Sequence, residues 1–456
     1  MPFIEDDVKV GVSIKIKTPP APSRSSAIFH EQDERDIKIS DDTTAPTSVP
    51  TAIFQPPIYT MKEIYAAIPP HCLQPSTSLS TFYIARDFLF IAILLLLTRL
   101  IPFLPTPDLR FLAWSTYGFT QGLIFVGLWE LAHEAGHGAL SKSKTFNHSV
   151  GLLIHSLLLV PFHSWRITHS SHHKSTNNLD RDIAFVPSKK EDWERERKAR
   201  TGGSEWWEWV EDMPIVALVH LFFHQLIAFP LYLTINNLAI ERMANARWWQ
   251  RSHFYLGGDG PNFKPEHFKD ILVSDIGIAI MGLGMWMLGK SIGWANLGLL
   301  YGVPYLWTNH WICEFSPQNN ITLPCLPPFL KKYTNLQRTV TITFLQHTDI
   351  SIPYYPTKTW TFLRGAASTV DRDFGFIGRH LFHGAVEGHV MHHHVSRIPF
   401  YHADEATEAV RKVMGSHYQS DMETPYLWAF WKNFKTCKYV VETEEKSEIY
   451  FFAKAE

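Results

Sequence analysis

Cysteine is scarce in this chain, and its few copies lie far apart. The four cysteines among 456 residues form no CxxC pair, which excludes a disulfide framework and argues against a sulfur-ligated iron cluster. The sequence also contains no GxGxxG, no CxxCH and no HPGG motif, so it carries no recognisable site for a dinucleotide or a haem. A redox reaction on this chain would therefore need electrons from another protein.

An excess of basic charge is also missing. The formal net charge is −2, which excludes a general nucleic-acid binder because no broad surface neutralises phosphates. The first seven residues are acidic and no apolar run follows them, which argues against a cleavable signal peptide. Residues 1–57 mix Pro, Ser, Thr and charge without helical periodicity and are predicted to be a disordered tail. The main domain is expected at 58–440, followed by a C-terminal tail at 441–456.

Apolar residues are abundant, at 45% of the chain, and aromatic residues make up 14%. Several apolar runs approach or exceed the roughly 20 residues that cross a bilayer as a helix. They lie at 83–104, 111–132, 150–162, 213–236, 271–289 and 293–312. The run at 150–162 is too short to span and is expected at the membrane interface or beneath a protein cap. The sequence therefore predicts an all-α integral membrane protein.

Histidine is the unusual residue, with 24 copies. Three clusters stand out, one of the form HxxxH and two of the form HxxHH. On a helix, positions i, i+3 and i+4 lie on the same side, so the imidazoles of each cluster can face one site. The cluster histidines are His133, His137, His169, His172, His173, His389, His392 and His393.

Ligand type and number indicate the metal. Neutral imidazole suits Zn, Cu, Fe and Ni, and eight imidazoles exceed what one tetrahedral zinc ion uses, so two ions are implied. Carboxylates, which bridge the irons of soluble di-iron bundles, are sparse in these clusters. An all-nitrogen di-iron site that activates O₂ is the best fit. Because its ligands must share one side of the membrane, one of the three apolar runs between the second and third clusters is not a full span.

Two interpretations from other functional classes compete with this one. His133-Glu134-Ala135-Gly136-His137 also matches HExxH, in which two histidines hold zinc and the glutamate acts as the general base of a metalloprotease. An intramembrane zinc protease leaves the two HxxHH clusters unexplained. A non-catalytic metal carrier would instead need histidines on both sides of the bilayer.

The order of the clusters and the sequence around them resemble the membrane fatty acid desaturases, and in particular the oleate (Δ12, omega-6) and omega-3 branch. The resemblance covers roughly residues 58–440. The similar stretches are Ala67–Cys72, Leu158–Pro161, Trp165–His169, Phe344–Thr348, Arg364–Ala366, Asp371–Gly375 and Ile398–Ala403.

This resemblance implies about four transmembrane helices beneath a cytosolic helical cap that holds two non-haem irons, in the endoplasmic reticulum. It implies an acyl-lipid substrate, O₂ as co-substrate, and electrons from cytochrome b5 and its NADH-dependent reductase. The eight cluster histidines would be the iron ligands. A further ligand is expected ahead of the third cluster, and His347 is chosen, the alternative being a histidine that only forms hydrogen bonds. The oligomeric state stays open.

The expected reaction is Δ12-type desaturation of oleoyl chains. Three residues beside the clusters depart from the family pattern: Ala135 stands where Cys is usual, Gly138 where a larger residue is frequent, and Gly388 where Thr is common. Residues next to the irons change the outcome in such enzymes. Acetylenase, hydroxylase, conjugase and omega-3 desaturase activities therefore remain alternatives.

The remaining histidines are assigned other roles. His155, His383 and His402 are candidates for hydrogen bonds that orient the ligand rings. His220 and His224 are interpreted as helix-packing residues, and His394 is excluded from the ligands. Basic residues that could dock an acidic electron donor, or that are only a solvated face, are Lys189, Lys190, Arg195 and Lys198.

Overall fold

The computed structural model describes residues 54–216, 229–235, 243, 245–312, 342–444 and 446–453. Residues from Gln55 onward form one compact unit that is mostly helical. Its helices include α1 (Met61–Ala67), α2 (Thr77–Thr98), α3 (Pro107–His137), α4 (Lys144–Leu157), α5 (Phe162–His173), α6 (Lys190–Thr201), α7 (Glu205–Asp212), α8 (Phe268–Ile292), α9 (Trp294–Leu297), α10 (Val303–Ile312), α11 (Ile342–His347), α12 (Phe362–Ala366), α13 (His389–His394), α14 (Ala403–Met414) and α15 (Tyr426–Thr436). The strands are β1 (Asp371–Arg372), β2 (Ser420–Asp421), β3 (Val440–Glu442) and β4 (Tyr450–Phe452).

Helices α2 and α3 form the hairpin that the first two apolar runs predict. Each begins with a hydroxyl cap: Ser76 accepts a hydrogen bond from the Leu79 amide, and Thr106 accepts one from the Leu109 amide. The first run was expected to continue to residue 104, but α2 ends at Thr98. A 3₁₀ turn and the proline-rich connection follow, because proline removes backbone donors that a helix needs.

The short run at 150–162 covers the junction between two helices. α4 ends at Leu157 and α5 begins at Phe162, and their axes are bent by 106°. Leu159 adopts a left-handed φ of 57° in this connection. Gly151 allows the approach, since a Cβ there would lie 2.2 Å from the Phe162 ring. The bend directs α5, which carries the second histidine cluster, towards the end of α3.

Among the described residues, one helix is long and apolar enough to cross a membrane: the segment Pro265–Ile292, which contains α8. The bent pair α4 and α5 adds a second only if the pair makes one span. The apolar run predicted at 271–289 ends too early, because Lys290 still lies in the last turn of α8 and the break follows at Gly293, with φ of 89°. Most of the run predicted at 213–236 lies outside the described residues.

The region beyond α10 supports the third cluster. β1 pairs in parallel with β2, and β3 pairs antiparallel with β4. A separate buried cluster joins side chains of α1, α13 and α14, among them Ile64, Val390 and Val410. Residues 441–453, expected to be a tail, instead carry β4, whose Phe452 is buried in the core. Of the predicted tail at 1–57, residues 1–53 lie outside the described residues.

Candidate metal centre

Four helices bring the predicted ligands together. The end of α3 carries the first cluster, α5 the second and α13 the third, and His347 is the last residue of α11. α3 stops directly after His137 because Gly138 takes a left-handed C-cap conformation with φ of 76°. All nine predicted histidines are at least partly buried.

The first group contains five histidines from all three clusters. Their nearest ring nitrogens lie within 4.8 Å of one another, and the group comprises His133, His137, His169, His173 and His392. The Nε2 atoms of His133 and His169 are 2.9 Å apart, and the Nε2 atom of His137 lies 3.1 Å from each of them. Three nitrogens therefore surround one point.

The second group is built around His347. Its ring nitrogen, with those of His172 and His393, forms a second set within 4.8 Å. The Nε2 atom of His347 lies 3.3 Å from that of His172 and 3.0 Å from that of His389, which adds a fourth imidazole. The nine predicted residues are thus divided into groups of five and four, and each group could hold a metal ion.

Hydrogen bonding alone does not account for this arrangement. A neutral imidazole carries one ring hydrogen, so the three mutually close Nε2 atoms in the first group cannot all be paired. Within the described part of the chain, the buried Nε2 atoms of His392 and His393 have no hydrogen-bond partner. Two nitrogens that bind one ion at about 2.1 Å and at right angles to each other are about 3.0 Å apart, which matches the observed separations. The residues of both groups therefore fit the ligands of a metal ion.

Hydrogen bonds from neighbouring residues fix the ring orientation in the second group. The Nδ1–H of His172 donates to Oδ1 of Asp182 at 2.8 Å, and this carboxylate also accepts the amides of Asn177 and Ala184. The Thr176 hydroxyl donates to the His172 carbonyl, and its oxygen accepts Nδ1–H of His393 at 3.1 Å. Both bonds place the ring hydrogen on Nδ1, so Nε2 carries the lone pair with which an imidazole binds a metal.

The electrostatic setting keeps the rings neutral. Burial, followed by the neighbouring histidines, lowers the pKa of His347 and of His393 well below the usual value for histidine. Burial and His347 have the same effect on the pKa of His389. Neutral imidazole is the form that ligates a metal, so the fold holds these residues ready for binding.

Three histidines outside the clusters contact residues other than the nine predicted ligands. His394 faces away from both groups: its Nε2 pairs with the Tyr59 hydroxyl at 3.0 Å, and its Nδ1 with the Val390 carbonyl at 2.7 Å. His383 does not orient a ligand ring, since its Nε2 bonds to Asp87 at 2.8 Å. His402 packs against His71 instead.

His155 contacts no cluster histidine among the ring contacts seen here. It packs edge-on against Trp165 and tilted against Trp129. Asp182 and Thr176, which form hydrogen bonds to the rings of His172 and His393, were not predicted from the sequence. Asp182 follows the second cluster by nine residues, and only the turn after α5 brings it back.

Comparison with known proteins gives the chain its family. A family model for fatty acid desaturases matches residues 110–425. An oleate hydroxylase of Claviceps purpurea is 40% identical over 404 residues, covering 85% of this chain and 78% of the hydroxylase. A Delta(12) fatty acid desaturase of Mortierella isabellina is 36% identical over 420 residues, covering 90% and 96%. An endoplasmic reticulum omega-6 fatty acid desaturase of Brassica juncea is 34% identical over 390 residues, covering 84% and 88%.

The chain belongs to the fatty acid desaturase family. It is therefore an enzyme of the oxidoreductase class. The predicted resemblance is confirmed.

Two of the three departures from the desaturase pattern, Gly138 and Gly388, have local structural explanations, and nothing in the structure explains Ala135. Gly138 provides the left-handed cap of α3, and no atom lies within 4 Å of a Cβ built there. Ala135 is buried in the apolar core. Gly388 precedes α13, and a Cβ on it would lie 3.3 Å from Cβ of Ala403 and 3.4 Å from Oγ1 of Thr407. Close packing against α14 therefore accounts for the glycine.

A cavity of about 50 Å³ lies beside the two histidine groups of this desaturase. That volume holds a few water-sized groups. It contacts His133, His169 and His392 of the first group and His389 of the second. Its other lining residues are mostly apolar or small and include Trp129, Phe382, Gly384, Ala385, Met391, Ile398 and Phe400.

Glu134 joins the first and third clusters beside this cavity. Its carboxylate accepts the amide of Phe400 at 3.2 Å, and its other oxygen lies 3.7 Å from Nδ1 of His392. Glu130, one turn earlier, lies 3.3 Å from Nδ1 of His133. These carboxylates therefore face the Nδ1 atoms of His392 and His133, whereas the Nε2 atom of His133 faces the first group.

The basic residues considered for docking an electron donor are partly neutralised within their own helix. Arg195 pairs with Asp192 and Lys190 lies 4.0 Å from Glu194, both on α6. Such i,i+3 and i,i+4 pairs are typical of a solvated helix face. These residues therefore do not identify the surface that binds the electron donor.

Proposed function

We propose that this chain is a membrane-bound di-iron oxidase that introduces a Δ12 double bond into the oleoyl chain of a lipid. The observation that carries the proposal is the division of nine buried or half-buried histidines into groups of five and four, in which several pairs of ring nitrogens lie 2.9 to 3.3 Å apart. Family membership supports the reaction class. The Delta(12) relatives support the bond position.

In this proposal the first iron is held by His133, His137, His169, His173 and His392, and the second by His172, His347, His389 and His393. Bound iron would supply the reduction of O₂ that drives removal of hydrogen from an unactivated methylene. The balanced reaction consumes one O₂, two electrons and two protons, forms one C=C bond from two adjacent methylenes, and releases two waters. Asp182 and Thr176 act as positioning residues because they fix the tautomer of ligand rings.

The cavity beside the clusters supports a binding position for the reacting methylenes. An apolar chain offers no polar handle, and apolar contacts discriminate weakly against a shift of one methylene, so position must come from the shape of the site. Phe382, Phe400 and Met391 provide apolar walls, while Gly384 and Ala385 leave room. Opening of this cavity must accompany entry of the acyl chain, because about 50 Å³ is far too small for one.

The membrane arrangement proposed here has about four transmembrane helices beneath a cytosolic cap, in the endoplasmic reticulum. Exposed apolar side chains along α2, such as Leu89 and Leu96, and along α8, such as Ile280 and Leu283, support contact with lipid. The relative from Brassica juncea is an endoplasmic reticulum enzyme. Cytochrome b5 with its NADH-dependent reductase is the proposed source of electrons, since the chain has no electron-transfer cofactor motif of its own.

Hydroxylation of the same oleoyl chain is the second candidate, favoured by the 40% identity to an oleate hydroxylase. Both outcomes begin with the same removal of hydrogen and differ in whether a second hydrogen leaves or oxygen is retained. The zinc protease alternative loses support, because His392 of the third cluster belongs to the same nitrogen group as the two histidines of HExxH.

Expression in a yeast whose own lipids contain only saturated and monounsaturated chains tests the proposal. Gas chromatography with mass spectrometry should detect a diunsaturated C18 chain with the new bond at Δ12, lost in His172→Ala and retained in the control His380→Ala, whose side chain is exposed. A hydroxylated oleoyl product would support the second candidate. Unchanged lipids in cells that contain the iron-loaded protein would contradict both.

A further inference from the structure

A second group of metal-ligating side chains lies apart from the nine histidines. It comprises His71, Cys72, His402 and Glu405, whose ligand atoms all lie within 4.8 Å of one another. Nothing in the proposed oxidation uses these residues. His71 and Cys72 precede α2, whereas His402 and Glu405 stand at the start of α14, so residues more than 300 positions apart in sequence converge.

The donor atoms of this group converge on the carboxylate of Glu405. Nε2 of His71 lies 2.8 Å from Oε2 of Glu405 and 3.5 Å from Sγ of Cys72. The thiol also interacts with the same carboxylate. The four ligand atoms are close enough together for one cation between them to bind the imidazole nitrogens, the thiolate and the carboxylate.

The chemistry of the four donors indicates the ion. A sulfur, two imidazole nitrogens and a carboxylate oxygen are the ligand types of Zn²⁺, and four protein ligands complete its tetrahedral shell. Sites closed in this way are structural, whereas catalytic zinc keeps an open position. Cys72 is fully buried, while the side chains of His71 and Glu405 are 58% and 52% exposed. A metal ion can therefore reach the group from solvent on the side of His71 and Glu405.

We propose that these four residues form a structural Zn²⁺ site that ties the segment before α2 to the start of α14. Cys72 belongs to the same buried cluster as Ile64, Ile68, Val390 and Met391. The last two residues lie on α13 between the histidines of the third cluster. The zinc ion therefore reinforces the packing on which α13 rests, from a position outside the oxidation site.

A sulfur-to-cobalt absorption band tests the site, because Co²⁺ replaces Zn²⁺ and the nine histidines provide no sulfur. The full chain is purified in detergent with its iron, in a variant in which Cys313, Cys325 and Cys437 are serine and Cys72 is the single cysteine. Addition of Co²⁺ should produce the band, and addition of Zn²⁺ should abolish it. Absence of the band in protein with native helicity by circular dichroism would overturn the proposal.

Matched single variants locate the ion. After dialysis against a chelator, wild type and Cys437→Ser should retain one zinc per chain that Cys72→Ser lacks. Glu405→Gln should also lose this zinc, whereas Glu408→Gln, an exposed residue on the same helix, should keep it. Equal zinc in wild type, Cys72→Ser and Glu405→Gln would overturn the site. The readout is independent of the oxidation, so a failure of the proposed function leaves the zinc result interpretable.

Discussion

Asp182 provides the sharpest test of how the second histidine group is held. Its side chain is fully buried, and its two oxygens accept three hydrogen bonds, from Nδ1–H of His172 at 2.8 Å and from the amides of Asn177 and Ala184 at 3.0 and 2.9 Å. Asp182→Asn preserves size but replaces one acceptor oxygen by an amide donor. The asparagine oxygen can still accept from His172 and Ala184, while the amide nitrogen then faces the Asn177 donor.

The expected magnitude follows from these contacts. Loss of the carboxylate behind a ligating histidine typically lowers metal affinity 10- to 100-fold, which corresponds to about 1.4 to 2.7 kcal/mol. The unpaired Asn177 amide costs about 1 to 3 kcal/mol of folding stability in addition. We therefore expect Asp182→Asn to fold with a lower unfolding midpoint and to lose iron at a chelator concentration 10- to 100-fold below that of wild type.

The assay measures iron per chain by mass spectrometry after dialysis against a graded chelator series. Asp180→Asn is the matched control, since this exposed residue lies in the same turn and its carboxylate accepts a hydrogen bond from the Thr357 amide rather than from a histidine. Iron retention equal to wild type in Asp182→Asn would refute the reasoning. An equal loss in Asp180→Asn would also refute it, because general weakening of the turn would then explain both.

Four further outcomes are expected. Tyr59→Phe leaves Nε2 of His394 buried without its partner and should cost about 1 to 3 kcal/mol in thermal unfolding with iron content unchanged; loss of iron would contradict the placement of His394. Gly138→Ala forces a side chain to φ of 76° and should cost about 1 to 2 kcal/mol, measured in the same way. Gly388→Ala places a methyl group 3.3 Å from Ala403 and should cost about 1 to 3 kcal/mol, and an unchanged unfolding midpoint would show that packing does not require this glycine. Burial lowers the pKa of His347 below the unfolded value of about 6.5, so the unfolded chain binds more protons in acid; iron-free protein should lose stability as pH falls below about 6.5, less steeply in His347→Asn.

The histidine clusters could be predicted because they depend on local geometry alone. Helical periodicity puts i, i+3 and i+4 on one face, and the structure has α3, α5 and α13 at all three clusters. The division into five and four could not be predicted in this way. It depends on the 106° bend between α4 and α5 and on the position of α11, and both are properties of tertiary packing.

The supporting residues were harder to predict for the same reason. His383 is chemically as suitable as Asp182 for orienting a ligand ring, but its left-handed backbone at φ of 56° directs it towards Asp87. The interpretation of Gly138 also changed. The resemblance to the family suggests that a glycine here could alter the reaction, whereas the structure shows that Gly138 forms the left-handed C-cap of α3. Composition alone does not distinguish a conformational glycine from a functional one.

Iron stoichiometry with Mössbauer spectroscopy on protein purified from cells grown with ⁵⁷Fe tests the central proposal most directly. We predict two irons per chain in wild type, with nitrogen-rich coordination of both. Removing one ligand from each group, in His137→Ala and His347→Ala, should lower the iron content in both cases, while His380→Ala should retain it. One zinc ion in place of two irons, or two irons retained in both ligand variants, would contradict the account.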